Sequence, residues 1–293
     1  MQNNRNKKSF YVVEIFLTLI LVIFFIFFSA VIFLIRLIKR QISSHCLNRI
    51  GNNIWIFIFA IIRVIGNSML VISRFLRLIP PIEHFSKDKI KNILIIRTDR
   101  IGDLILSTPA FYATRKSYPD AKISLMVTSH LADLVADNPY IDKKIVIDKM
   151  CLKTVLKIRE QIRKENFDLV VVLYPNIWAN FLAYLSRSPF RAGYDDKGSG
   201  FLLTKYFPQP RERGKLKHEV EYTFNILRFY EIDAKDKKLR ISVTEYGENY
   251  TEKFLKENNI KENDILINIH PGASKSYRRW TKEGFAELAD NLL

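Results

Sequence analysis

The sequence predicts an α/β fold built on a parallel, doubly wound sheet, and three observations carry that prediction. Ile93-Leu94-Ile95-Ile96 is a short apolar run that leads through a polar turn into a helical pattern. Such a run has the length and composition of a strand buried on both faces. Phe167–Leu173 (FDLVVVL) is a second run of the same kind. Around these two, strand and helix patterns alternate, as they do in βαβ units.

The elements follow in order. After the first corner, Lys122–Val127 reads as a strand, Ser129–Ala136 as a short helix and Ile145–Ile147 as a brief strand. Cys151–Lys164 has helical periodicity, Asn176–Leu185 suits a helix, and Arg191-Ala192-Gly193 suits a strand end or turn. Residues 195–213 hold Gly198, Gly200, Pro208 and Pro210 and read as a loop. A helix is expected from about His218 to Tyr230, a strand at Leu239–Val243 and a helix near Tyr246–Asn258. A further unit opens with an expected strand, Ile265–Ile269, a loop from His270 to Lys275, and a helix, Thr281–Leu292. One strand and one helix cannot bury two apolar faces, so this second domain is expected to be incomplete.

The organising corner is Arg97-Thr98-Asp99-Arg100-Ile101-Gly102, with Asp103 at the start of the helix that follows. In α/β sheets such a corner lies at the carboxyl ends of the strands, where ligands bind. Two readings of Asp103 stand side by side. It stabilises the helix N-terminus as a cap, or it serves as a general base in a cleft, held ionised by the helix dipole. The turn lacks both G-x-G-x-x-G and the P-loop pattern, which excludes a dinucleotide or ATP phosphate cradle there and leaves a Rossmann-type oxidoreductase unsupported.

Charge and hydropathy set the N-terminal region apart. The 293-residue chain has a formal net charge of +16 and is 48% hydrophobic. Residues 1–90 carry 12 Lys and Arg against 3 Asp and Glu, a net +9; the rest carries 34 against 27, a net +7. More than half of the excess thus lies in the smaller, apolar part, which points to anionic lipid headgroups and away from nucleic acid. Ile15–Ile35 is an uncharged run that at about 1.5 Å per residue spans roughly 31 Å, matching a ~30 Å hydrocarbon core. It predicts a transmembrane helix at about 15–35, since a signal-peptide core is shorter. A second apolar segment, about 54–79, carries Arg63, Asn67, Arg74 and Arg77 on one narrow stripe. An amphipathic helix in the membrane interface is expected from that stripe, with a second membrane span as the rival. Pro80-Pro81 ends it. The expected organisation is a membrane anchor over 1–90, a Rossmann-like domain over 91–235, a linker region over 236–263 and the start of a second domain over 264–293. Cys46 and Cys151 lack metal-ligand spacing and form no disulfide framework, which suits a reducing compartment.

The corner RTDRIGDLILSTPAF, FDLVVVL, the His218-Glu219 helix start and HPGASKSYRRWTKEGFAELADNL together resemble the ADP-heptose:lipopolysaccharide heptosyltransferase family of glycosyltransferases, over about Asn92 to Leu293. The resemblance implies two Rossmann-like domains in the GT-B arrangement. It implies an inverting transfer of a sugar, heptose by family default, from a nucleotide diphosphate such as ADP-heptose to a lipopolysaccharide-type, lipid-linked acceptor, with no metal and no cofactor. The membrane segments lie outside the match and go beyond the family's usual peripheral members; with the slight excess of Lys and Arg on the carboxyl side of the first segment, they predict an enzyme at the bacterial inner membrane, with its catalytic domain facing the cytoplasm and membrane lipids as partners. The family's proposed base falls on Asp103. Its diphosphate loop falls on Gly272, Ala273, Ser274, Lys275 and Arg278, the last standing where the family usually has lysine, a replacement that keeps the charge but not the geometry. Arg97, Arg100 and His218 are weaker candidates for contacts to an acidic acceptor. For His218 a capping role stands beside that reading, and for Trp280 packing between loop and helix is favoured over base stacking. A catalytically inactive, membrane-anchored fragment or glycolipid-binding module is the alternative function.

Overall fold

The structure, a computed structural model, describes residues 64, 67, 68, 85–208, 218–261, 263–273 and 275–292. The expected transmembrane helix at 15–35 lies outside the described residues. Of the segment 54–79 only Val64, Asn67 and Ser68 are described; they are helical, and the Ser68 hydroxyl donates to the Val64 carbonyl at 2.9 Å. Among the described residues no helix is long and apolar enough to cross a membrane. The chain divides into two compact units, Met1–Ser242 and Val243–Leu293.

The first unit is an α/β unit. Its elements are β1 Asn92–Ile96, α1 Ile101–Ile105, α2 Thr108–Ser117, β2 Lys122–Thr128, β3 Lys143–Ile147, α3 Leu152–Lys164, β4 Leu169–Val172, α4 Ile177–Leu185, β5 Phe190–Tyr194, β6 Lys205–Phe207 and α5 Glu219–Leu227. The six strands form one sheet in the order β3-β2-β1-β4-β5-β6, with every pairing parallel. β1 sits inside, with Ile95 opposite Leu125 on one side and Val171 on the other. Side chains alternate across the pleat. Ile93 and Ile95 join Phe111 of α2 and Phe224 and Leu227 of α5 in one apolar layer; Leu94 and Ile96 join Val155 of α3 and Phe181 and Leu182 of α4 in the other. Both faces of the sheet are therefore covered, which is why its strands read as continuous apolar runs.

Several expectations within this unit are corrected. The helix after the first corner is two helices, because Pro109 has no N–H to continue a ladder and instead sits in the first turn of a new helix, α2. Ser129–Ala136 is not an α-helix but two 3₁₀ turns, Ser129–Leu131 and Asp133–Val135. The expected loop at 195–213 holds a 3₁₀ turn, Ser199–Leu202, and strand β6; residues 209–217 lie outside the described residues. Gly198 carries the turn at φ 78°, and the backbone N–H of Gly200 donates to Asp195 Oδ1 at 2.7 Å. Leu239–Val243 was expected as a strand, and no ladder forms there.

The second unit contains α6 Glu245–Glu257 and α7 Lys282–Asp290. Each is capped by a threonine hydroxyl: Thr244 accepts from Gly247 N–H at 3.1 Å and Thr281 from Gly284 N–H at 3.0 Å. Ile265–Ile269 carries no ladder, contrary to expectation, and Ile265 is 89% exposed. An apolar run becomes a strand only beside a partner that satisfies its N–H and C=O groups. Among the described residues of this unit there is no other strand to provide one.

Candidate active site

The corner after β1 gathers charge around one arginine. Arg97 follows the last residue of β1 and is fully buried. Its backbone N–H extends the sheet ladder to Met126 O at 3.0 Å, which draws the side chain inward. Nη1 donates to the carbonyl of Leu173, just past β4, at 2.8 Å. Nη2 donates to Glu219 Oε1, in the first turn of α5, at 3.0 Å. Nε lies 3.0 Å from Asp99 Oδ1, an ion pair without hydrogen-bond alignment. Nη2 also lies 3.8 Å from Asp103 Oδ1. Three carboxylates thus share one buried cation, which keeps the guanidinium from being an unpaired buried charge.

Asp103 occupies the third position of α1, and its side chain is 31% exposed. The cap position falls to Arg100, which makes no side-chain cap hydrogen bond. With only five residues, α1 offers Asp103 a weaker dipole than the long helix expected from the sequence. The Asp103 carboxylate is open to solvent on one side and backed by Arg97 on the other. Asp99 is more deeply placed, with a side chain 6% exposed. Burial pushes its carboxyl up to about 7, and a hydrogen bond to Asp103 together with the Asp103 charge pushes the same way, against the lowering effect of Arg97. Asp99 and Asp103 act as a carboxyl pair on neighbouring turns of the chain.

Beside this pair a cavity of about 290 Å³ opens at the carboxyl ends of β1 to β4. Asp99, Arg100, Thr128, His130, Lys149 and Tyr174 line it. The Thr128 hydroxyl is buried with no hydrogen-bond partner. The Tyr174 hydroxyl is held above its ordinary value by burial first, then by the charges of Asp99 and Asp196. A cavity lined by Arg100 and Lys149 together with the carboxyls of Asp99 and Asp148 can hold a polar ligand.

The other expected site residues fall as follows. Arg97, expected to touch an acceptor, is sealed beneath the corner, so its role is to hold carboxylates. Arg100 is exposed and lines the cavity. His218 caps α5, its Nδ1 accepting from Val220 N–H at 3.4 Å. In the second unit Gly272, Lys275 and Arg278 are exposed and Ala273 is partly covered. Ser274 lies outside the described residues. Arg279 Nε donates to Ala273 O at 2.7 Å and closes the loop. Trp280 packs edge-on against Phe285 at 5.2 Å and lies over Gly284, where a Cβ would come within 2.5 Å of the indole. It is a packing residue, as the sequence favoured. Glu219, Asp99 and Tyr174 were not singled out for the site. Asp99 alone had a signal, a second acidic residue four positions before Asp103.

Residues 155–293 match the sequence model of glycosyltransferase family 9 (heptosyltransferase). Over that stretch the chain is similar to the family. A candidate glycosyltransferase of Haemophilus influenzae is 28% identical over 210 residues, covering 69% of this chain and 60% of the relative. Lipopolysaccharide heptosyltransferase 3 of Escherichia coli is 24% identical over 200 residues, covering 65% and 57%. The crystal structure of a family 9 glycosyl transferase from Veillonella parvula superposes with a TM-score of 0.63 at 25% identity, covering 72% of this chain and 62% of that one. The chain spans about three fifths of the length of the curated relatives it matches. The parallel sheet is the α/β, Rossmann-like arrangement of the heptosyltransferase folds.

Proposed function

We propose that the full-length protein is an inverting glycosyltransferase that moves a sugar from a nucleotide diphosphate to a lipid-linked saccharide, with ADP-heptose as donor and a lipopolysaccharide-type acceptor. The observation that carries this reading is Asp103: a partly exposed carboxylate, backed by a buried arginine, whose neighbours Asp99 and Arg100 line a polar cavity at the carboxyl end of a parallel sheet. In the proposed reaction Asp103 takes the proton from an acceptor hydroxyl as that oxygen attacks the anomeric carbon. The sugar–phosphate bond breaks on the opposite face, and the nucleoside diphosphate leaves with the electron pair. Arg100, Lys149 and His130 give the cavity wall an affinity for an acidic acceptor. Gly272, Ala273, Ser274, Lys275 and Arg278 are proposed to receive the diphosphate through backbone N–H groups and cationic side chains. The reaction requires neither a metal nor a cofactor. The apolar, basic N-terminal region is proposed as an anchor in the bacterial inner membrane, which keeps the catalytic domain on the cytoplasmic side, near its acceptor.

The test is Asp103→Asn in the full-length protein, assayed for transfer from ADP-heptose to a lipopolysaccharide acceptor. The amide keeps the shape and removes the proton acceptor. Turnover is expected to fall by about 10²-fold or more with the fold intact. Near-normal turnover removes Asp103 from the chemistry. Tight glycolipid binding without turnover by the unaltered protein favours the alternative, a glycolipid-binding module.

A further inference from the structure

Arg97 has more acceptors than it can serve equally, and the order in which it serves them is informative. Leu173 O at 2.8 Å, Glu219 Oε1 at 3.0 Å and Asp99 Oδ1 at 3.0 Å take Nη1, Nη2 and Nε. Asp103 Oδ1 is last, at 3.8 Å from Nη2, the nitrogen that Glu219 already holds. A distance of 3.8 Å is outside hydrogen-bond range. Asp103 therefore feels the charge of Arg97 without giving it a lone pair. A carboxylate drawn into a direct guanidinium bond is a poorer proton acceptor, since that bond favours the charged form.

We propose that Glu219 is a positioning residue: by occupying Arg97 Nη2 it keeps the guanidinium off Asp103, so that the Asp103 carboxylate stays free to receive a proton. The proposal rests on the reading of Asp103 as the base. Glu219 is suited to the role by its place in the first turn of α5, brought to the corner from 122 positions away, and by being only partly exposed. His218 caps the same turn and fixes where it begins. The other charged and titratable groups at the corner are Asp99 and Arg100 from the turn after β1 and Tyr174 from the turn after β4; Asp99 is paired to the guanidinium at Nε and also interacts with the Asp103 carboxyl, a contact that leaves Nη2 untouched. Glu219 is thus the carboxylate that competes with Asp103 for one nitrogen.

The experiment compares Glu219→Gln with Asp103→Asn and the unaltered full-length protein, reading kcat, donor KM and the pH profile of kcat/KM. Without the Glu219 charge, Nη2 turns to Asp103. The expected result is a kcat about tenfold lower, a donor KM within about twofold, and an acid limb of kcat/KM displaced to lower pH by about one unit. Glu219→Asp, which keeps the charge but withdraws it by one methylene, moves the same limb in the same direction by less, and it replaces the glutamine variant should that one not fold. An unshifted acid limb in the folded variants overturns the proposal, whatever happens to stability, because a purely structural contact would lower stability and leave the profile in place. Failure of the underlying reading shows separately: Asp103→Asn then retains turnover.

Discussion

The substitution Asp99→Asn isolates the most perturbed carboxyl of the corner. Burial and Asp103 raise Asp99 from an ordinary value of 3.8 to about 7. The direction fixes the sign. A carboxyl raised in the folded state binds its proton more tightly there than in the unfolded chain, so its contribution is fully present below the unfolded value. It is lost as pH rises through about 7, when the buried group must ionise. A rise of roughly three pH units at about 1.36 kcal/mol each sets a ceiling on the order of 4 kcal/mol. The asparagine amide cannot ionise, so the variant lacks this loss. The ion pair with Arg97 forms only when Asp99 is ionised, and its attraction is already contained in the value of about 7. Urea unfolding of both proteins, paired at each pH from about 4 to 8, reads the difference directly. Carboxylates held below their ordinary values by lysine or arginine partners, such as Glu165 and Glu221, lose stability as pH falls and cancel in the comparison. The unaltered protein should decline relative to the variant as pH climbs, then level off above about 7. A difference that stays constant over the whole range refutes the reasoning, because it means that Asp99 ionises in the fold as easily as in the open chain.

Two further outcomes follow from the same geometry. Arg97→Leu leaves the Leu173 carbonyl and three carboxylates without their cation and should cost about 3–5 kcal/mol, measured by urea unfolding, with loss of transfer activity. Gly193→Ala places a Cβ 3.0 Å from both Val172 Cβ and Val172 O across the β4–β5 ladder, where backbone cannot yield, and should destabilise by about 1–3 kcal/mol in thermal unfolding.

How far the sequence revealed these features depended on the range of the interaction. Ile93–Ile96 and Phe167–Leu173 were legible because a strand covered on both faces must be apolar throughout. Leu239–Val243 and Ile265–Ile269 had the same local pattern and formed no ladder, since a run of residues does not disclose whether a partner strand lies alongside. β6 was missed because Lys205-Tyr206-Phe207 is too short to show a period. Asp103 was singled out through its turn and its family resemblance. The fate of Arg97 was not readable: a charged residue after an apolar run ordinarily points to solvent, and the Glu219 carboxylate that meets it is 122 positions downstream. The resemblance included the His218-Glu219 helix start without indicating what the glutamate touches.

The inside position of β1 has a consequence for biosynthesis. Its first partner, β2, leaves the ribosome soon after it, but Ile96 pairs on the other side with Val172, 76 positions later. At about 5–20 residues per second the nascent chain waits roughly 4–15 s with one flank of an isoleucine-rich strand open to any passing edge. No tight hairpin shortens that interval, because every ladder in the sheet is parallel. Chaperone dependence in the cell should therefore be governed by translation speed between β2 and β4 rather than by the stability of the finished domain.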